Sequence, residues 1–195
     1  MRATAEVPER ADKREAILDA ALDLFAQRGF HGTAVPAVAE RARVGAGTIY
    51  RYFASKEALV NAVYQRHKSA VADSIIGNFP FESTAREQFH AFFARAIAFA
   101  QAEPRAFKFL ELHHHAEYLD DTSKALEQRV LVFARTFLEG TREQQITKPL
   151  SSELLMSVIW GAVVGIIKAS WEGRLRLTKE AAIQAENCCW EAIRA

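Results

Sequence analysis

Apolar residues recur at intervals of three and four along almost the whole chain, and no stretch alternates strictly between apolar and polar residues. This spacing places apolar side chains on one face of a helix, whereas a half-buried strand would need alternation. Only 9 glycines and 5 prolines interrupt the 195 residues. The pattern predicts an all-α fold of about nine helices, with three short helices and a connecting fourth followed by about five longer packed ones.

Capping and helix-breaking residues divide this pattern into segments. Asp12 with Glu15 is typical of a capping box, Gly29 of a left-handed helix end and Thr33 of an N-cap. Residues 1–11 are expected to form a flexible arm. The helices are predicted at residues 12–28, 33–42, 46–53, 56–76, 83–102, 104–117, 121–143, 151–172 and 178–194.

Two of the short helices, separated by a turn of three to four residues, have the spacing of a helix-turn-helix. Val35 and Val38 give the first of them an inward face, and Ile49 and Phe53 do so for the second. The second helix would enter the major groove of DNA, which is about 12 Å wide. Its outward residues are small, hydroxylated or cationic and suit contact with bases and phosphates: Ala46, Gly47, Thr48, Tyr50, Arg51 and Tyr52.

The segment from Gly45 to Leu59, GAGTIYRYFASKEAL, resembles the signature of the TetR family of transcriptional regulators. Upstream, Ile17 to Phe30 is similar to the first helix of that family. The resemblance covers about a quarter of the chain. The remainder is similar to the family only in its length and its all-helical character. It implies that Thr33, Tyr52 and Lys56 contact phosphates, that Thr48 and Tyr50 contact the backbone or bases, and that Ala46 and Gly47 lie against base edges.

Two residues depart from the family pattern. The family often has glycine at the position of Arg43, and if this turn position is left-handed, arginine there costs about 1 kcal/mol. The alternative is that Arg43 serves as an extra phosphate contact. The family also often has a polar residue at the position of Ala46, which can offer only a methyl contact. Base recognition is therefore expected to depend on Thr48, Arg51 or the basic residues of the arm, which are Arg2, Arg10, Lys13 and Arg14.

The second half of the chain is rich in aromatic residues that either fill a core or line an apolar ligand cavity. The candidate pocket residues are Phe93, Phe107, Leu110, His114, Phe133, Phe137, Met156, Trp160, Val163 and Ile167. His113, His114 and His115 follow one another, so on a helix they would fan over about 200° and could not close on one metal ion. We therefore expect neither a metal nor a cofactor.

Small residues follow two later helices at helical spacing. They would suit the four-helix dimer interface that the family resemblance implies, or else close packing within one subunit. These candidate interface residues are Gly161, Gly165, Ala169, Ala182, Ala185, Cys189 and Ile193.

Together with the resemblance to the TetR family, these features lead to the hypothesis of a homodimeric repressor that a small, mostly apolar ligand releases from a palindromic operator. Its expected domains are the arm, a DNA-binding domain at 12–55, a connecting helix at 56–80 and a ligand-binding and dimerisation domain at 81–195. The polar N-terminus and the interruption of the longest apolar run by Lys168 predict a cytoplasmic protein without a membrane span. The alternatives are a constitutive architectural DNA-binding protein and an all-helical enzyme that uses His113–His115.

Overall fold

The computed structural model describes the backbone of residues 6–195 and the side chains from Asp12 onward. This part of the chain forms nine helices and no strand, which confirms the predicted all-α fold. The helices are α1 (Glu6–Arg28), α2 (Val35–Arg41), α3 (Ala46–Tyr52), α4 (Lys56–Ile76), α5 (Ala85–Ala102), α6 (Pro104–Leu112), α7 (Asp121–Glu143), α8 (Ser152–Trp171) and α9 (Lys179–Ile193).

The first helix begins at Glu6, so the prediction of an arm was wrong for residues 6–11, and residues 1–5 lie outside the described part. Asp12 lies inside α1 rather than at its cap. Pro8 does not prevent the earlier start, because it falls in the first turn, where its missing N–H has no helical partner to lose. At the other end, Gly29 has a φ of +69°, and its N–H donates to the carbonyl of Phe25 at 2.9 Å, as predicted for a helix end.

The chain divides into two compact units, and the first of them contains residues up to Lys68 together with Pro104–Ala125. Its core contains Ile17 and Phe25 of α1, Val38 of α2 and Ile49 of α3, all almost completely buried. The helix α6 packs on α1, and its Phe109 ring lies 6.1 Å from that of Phe25. The expected domain at 81–195 therefore differs from the observed units, because the apolar face of α6 is covered by α1.

The second unit contains Ser69–Glu103 and Leu126–Ala195. In it α5 packs against α8 and α9, and the buried side chains include Phe93 of α5, Val163 of α8 and Ile193 of α9. The end of the chain is fixed beside the segment before α8, because Lys148 N–H donates to the carbonyl of Ile193 at 2.8 Å.

Among the described helices, α8 alone is long and apolar enough to cross a membrane by length and composition. The sequence led us to expect that Lys168 interrupts the apolar run too early for a span, but α8 is long and apolar enough despite this charge. Only 22% of its apolar window is buried within the chain. A single helix of this kind is weak evidence for a membrane span, so the observation establishes only that α8 is apolar and that most of its residues are not fully buried within the described chain.

Candidate nucleic-acid interface and ligand cavities

The turn between α2 and α3 is tight and has a left-handed residue at its centre. Arg43 has a φ of +56°, and the N–H of Val44 donates to the carbonyl of Ala39 at 3.0 Å. Val38 and Ile49 are buried on the two sides of the turn. The two helices therefore form the predicted helix-turn-helix, and Arg43 occupies the strained position that the comparison with the family pattern indicated.

The predicted contact residues of α3 lie together on an accessible face. Ala46, Gly47, Tyr50 and Arg51 are exposed, whereas Thr48 and Tyr52 are half-buried. A Cβ atom built at Gly47 would meet no atom within 4 Å, so the backbone there is open to a close approach. Their arrangement suits contact with the edges and phosphates of a duplex.

Thr33 does not lie on this face, contrary to its predicted roles as an N-cap and a phosphate contact. Its side chain is buried, and its hydroxyl donates to the carbonyl of Gly29 at 2.8 Å and to that of Leu24 at 3.2 Å. Ala34 is the N-cap of α2, without a side-chain hydrogen bond. The hydroxyl of Thr33 instead bonds to the C-terminal end of α1, where it caps the carbonyl of Gly29 that follows the helix.

Lys56 lies at the start of α4 in contact with an aromatic ring that is distant from it in sequence. Its ammonium group is 4.2 Å from the centre of the Phe30 ring, which stacks on Tyr118 at 4.4 Å. The preceding residue, Ser55, accepts a hydrogen bond from the N–H of Ala58 at 3.1 Å and so caps α4. Lys56 is half-buried and beside a helix N-terminus, which suits a phosphate contact.

A buried amide joins α4 to the connection between α6 and α7. Asn61 donates to the carbonyl of Tyr118 at 2.7 Å, and its oxygen accepts from the N–H of Asp120 at 2.9 Å and from the hydroxyl of Ser123 at 2.7 Å. Because its second amide hydrogen goes to the carbonyl of Glu57 at 2.9 Å, Asn61 is fully satisfied. The connection is therefore fastened to the first turns of α4.

A largely buried carboxylate joins three helices of the same unit. Asp23 of α1 accepts hydrogen bonds from Arg41 of α2, at 2.6 Å, and from Arg105 of α6. Burial acts to raise the pKa of Asp23, but the hydrogen bonds and charges of the two arginines outweigh it, so that the pKa is lowered. This cluster stabilises the helix-turn-helix against α6.

The three consecutive histidines follow the end of α6 and point to different partners. His113 Nε2 lies 3.0 Å from the carbonyl of Ala26, whereas His114 is exposed. His115 is buried; its Nε2–H donates to the carbonyl of Phe109 at 2.7 Å, and its Nδ1 accepts from the hydroxyl of Tyr118 at 2.6 Å. Burial lowers the pKa of His115 to about 4, so its ring is neutral at pH 7.

Two cavities of the second unit, among the described residues, differ in character. One lies between α5 and α9, has a volume of about 320 Å³ and is lined by apolar residues together with His90, Lys179 and Glu186. The other, which we call the aromatic cavity, has a volume of about 720 Å³. Its wall comes from the α4–α5 connection, the start of α5 and the second half of α7 and consists of Phe79, Phe81, Ser83, Thr84, Ala85, Gln88, Phe133, Thr136, Phe137, Gly140, Thr141, Gln144 and Ile146.

Two family models together match almost the whole chain. The model described as "Bacterial regulatory proteins, tetR family" matches residues 17–63, and the one described as "Tetracyclin repressor-like, C-terminal domain" matches residues 64–195. The chain belongs to the TetR family. It is therefore a DNA-binding transcriptional regulator by family, and the resemblance noted in the sequence is confirmed.

Relatives and solved structures of the TetR family agree with this assignment. The "HTH-type transcriptional repressor KstR" of Rhodococcus jostii is 30% identical over 158 residues, which cover 76% of this chain and 73% of the relative. A TetR family transcription regulator from Marinobacter aquaeolei has the same fold, with a TM-score of 0.84, 22% identity and coverage of 96% of this chain and 98% of that one. AibR in complex with isovaleryl coenzyme A and operator DNA also has this fold, with a TM-score of 0.74, 19% identity and coverage of 92% of this chain and 97% of that one.

The candidate pocket residues do not share one cavity in this TetR-family chain. Phe133 and Phe137 line the aromatic cavity, and Phe93 lines the cavity between α5 and α9. Met156, Trp160, Val163 and Ile167 line neither of these two cavities, and the last two are core residues. Phe107, Leu110 and His114 belong to the first unit, because α6 packs on α1.

The predicted small-residue strips are only partly accessible. Gly161 and Gly165 are exposed, and a Cβ atom at either would meet no atom within 4 Å, so neither glycine is required by close packing within the chain. Ala169, Ala182 and Ala185 are half-buried. The prediction was wrong for Cys189 and Ile193, which are buried because that face of α9 packs inside the subunit.

Proposed function

We propose that the protein is a dimeric repressor that binds a palindromic operator through α3 and Lys56. The observation that carries this proposal is the accessible face of α3, where Gly47, Tyr50 and Arg51 lie next to one another on a TetR-family helix-turn-helix. Two such helices in a symmetric dimer would enter successive major grooves, about 34–36 Å apart. The protein would act in the cytoplasm, because its proposed partner is bacterial DNA.

An apolar face of α8 would form the centre of the dimer. Leu154 and Val158 are 50% and 44% exposed, and they continue into the exposed Gly161 and Gly165 at helical spacing. Large apolar side chains next to glycines suit close packing against an identical helix. This interface would also cover α8, of whose apolar window only 22% is buried within the described chain.

We propose further that a small, mostly apolar ligand releases the protein from DNA. The cavities of the second unit support a binding site for such a ligand. The AibR structure, which contains isovaleryl coenzyme A together with operator DNA, supports a small-molecule effector in general. The ligand would bind more tightly to the conformation that does not fit the operator, and a preference of about 1–3 kcal/mol is typical of such coupling. It would act by tilting α4, which leads to the helix-turn-helix.

Selection of random duplex DNA with the purified protein at two salt concentrations tests the proposal. A palindrome with half-sites about one helical turn apart is expected, together with its loss in the Arg51→Ala variant. Salt-sensitive binding without a motif would instead favour an architectural protein. An enzyme that uses His113–His115 is disfavoured because both ring nitrogens of His115 are engaged within the protein.

A further inference from the structure

We infer that the aromatic cavity binds an uncharged organic molecule that contains a ring. The inference rests on the proposed function, because it assigns the chemical class of the ligand that would release the protein from DNA. It depends on three properties of the cavity: the arrangement of its phenylalanines, the absence of charged side chains from its wall, and its position at the end of α4.

The phenylalanines of the wall present both edges and faces of their rings. Phe79 contacts Phe133 edge to face at 4.8 Å and Phe81 at 5.2 Å between ring centres, and Phe81 lies 6.1 Å from Phe133. Phe81 remains 60% exposed, which is unusual for a residue with so much apolar surface. A flat ring could insert beside these three and gain stacking and edge contacts that a flexible chain would not match.

The polar groups of the wall carry no charge. They are the hydroxyls of Ser83, Thr84, Thr136 and Thr141 and the amides of Gln88 and Gln144. A charged ligand would lose its hydration here without gaining an ionic partner, whereas hydroxyl or carbonyl groups would find hydrogen-bonding partners. The cavity between α5 and α9 differs, because Lys179 and Glu186 lie in its wall.

The cavity adjoins the end of α4. Phe79 lies in its wall three residues after the last residue of that helix. Arg95 of α5 donates to the carbonyls of Ile75 and Gly77, at 2.9 and 2.8 Å, and its guanidinium lies 5.6 Å from the centre of the Phe79 ring. A ligand that displaces Phe79 would therefore act on the residues that hold the end of α4.

Gly140 allows this cavity to be filled without damage to the fold. It lies in the wall near the end of α7, and a Cβ atom built on it would meet no atom within 4 Å. Gly140→Leu would place a side chain in the cavity, and Gly140→Ala is the matched control that leaves most of the volume free. Because glycine is unfavourable in a helix, both variants are expected to melt at or above the temperature of the unaltered protein.

The experiment is isothermal titration calorimetry of the full chain, without DNA, with two probes of the same shape. Naphthalene methanol is uncharged, and naphthoate is its anionic counterpart. Naphthalene methanol is expected to bind the unaltered protein and Gly140→Ala at least about tenfold more tightly than naphthoate does. It is expected to bind Gly140→Leu at least about tenfold more weakly than it binds the unaltered protein.

Three results would overturn the inference: equal binding of the two probes, binding that Gly140→Leu leaves unchanged, and no binding of either probe. Loss of binding in Lys179→Ala, with Gly140→Leu unaffected, would place the ligand between α5 and α9 instead. Since the titration contains no DNA, its failure leaves the selection of a palindromic operator as a separate test of the proposed function.

Discussion

The ammonium group of Lys56 lies 4.2 Å from the centre of the Phe30 ring, so a cation of the candidate DNA surface is held in place before DNA arrives. Phe30 follows α1, and its ring also stacks on that of Tyr118 in the α6–α7 connection, at 4.4 Å, and lies 6.3 Å from that of Phe25. Cation–π contacts of this kind contribute about 0.5–1 kcal/mol at exposed sites. The position of Lys56 thus depends on residues distant in sequence.

Replacement of this cation should weaken DNA binding independently of the operator sequence. We expect Lys56→Met to lower affinity about tenfold at moderate salt and to reduce the salt dependence by about one phosphate contact per subunit. Fluorescence anisotropy with labelled DNA over a series of salt concentrations measures both quantities. Lys108→Met, which removes an exposed cation of α6, is the control, and an equal loss in both variants would contradict a role specific to Lys56.

Arg43 should trade stability for DNA affinity. Since its φ is +56°, Arg43→Gly is expected to raise the free energy of unfolding by about 1 kcal/mol. It should also weaken DNA binding, because the variant loses a candidate phosphate contact. Gln145→Gly is the matched control, because Gln145 has a φ of +58° in the other unit. That variant should gain the same stability, measured by urea unfolding, and bind DNA unchanged.

The carboxylate of Asp23 should be essential for the stability of the first unit. Asp23→Asn leaves Arg41 and Arg105 without their anionic partner, and we expect the free energy of unfolding to fall by about 2–3 kcal/mol. Asp73→Asn, at an exposed position of α4, should change it by less than about 0.5 kcal/mol. Urea unfolding of both variants at pH 7 measures these free energies. Equal free energies of unfolding for Asp23→Asn and Asp73→Asn would show that the cluster contributes little to stability.

A charge on the exposed face of α8 should separate the dimer. In Val158→Glu a carboxylate would lie where the proposed partner helix packs, and burial of an unpaired charge is costly. Sedimentation velocity is expected to give a dimer for the unaltered protein and for Gln27→Glu, an exposed change on α1, but a monomer for Val158→Glu. A monomeric unaltered protein at micromolar concentration would contradict the proposed interface.

Local features of the structure were predictable from the sequence because neighbouring residues determine them. The left-handed Gly29 and the strained Arg43 lie in turns whose geometry follows from the flanking helices. The exposed residues of α3 follow from a short motif in which Ile49 has to face inward. The same reasoning failed for Thr33, because its hydroxyl could serve either a helix start or the end of α1.

Long-range pairings were not predictable from one sequence. The apolar face of α6 indicates that it packs on something, but not that its partner is α1 rather than the later helices. Asn61 and Tyr118 are 57 residues apart, and Asp23 and Arg105 are 82 apart, so no local pattern relates them. The cavities likewise depend on how α5, α7 and α9 pack, which is why the candidate pocket residues are divided between several places.

His67 of α4 should make the stability of the protein sensitive to acid. The side chain of His67 is buried, and its Nε2 has no hydrogen-bonding partner. Among the described residues it is the one buried side-chain nitrogen or oxygen atom for which this holds. Burial, helped by the charges of Arg66 and Arg105 and opposed by Asp19, lowers its pKa from 6.5 to about 4. Below pH 6.5 the unfolded chain therefore binds a proton that the folded chain does not bind until about pH 4, and stability falls over this interval.

Two variants at this position separate the titration from the cost of a buried polar group. Between pH 7 and 5, His67→Leu and His67→Gln should each lose about 2 kcal/mol less of the free energy of unfolding than the unaltered protein. Both variants retain the similar contribution of His115. At pH 7 His67→Leu should be at least as stable as the unaltered protein, because it removes an unpaired nitrogen, and His67→Gln should be less stable than His67→Leu. Urea unfolding at both pH values measures these differences, and an unchanged pH dependence in both variants would mean that His67 takes up its proton equally readily in the folded and unfolded chain.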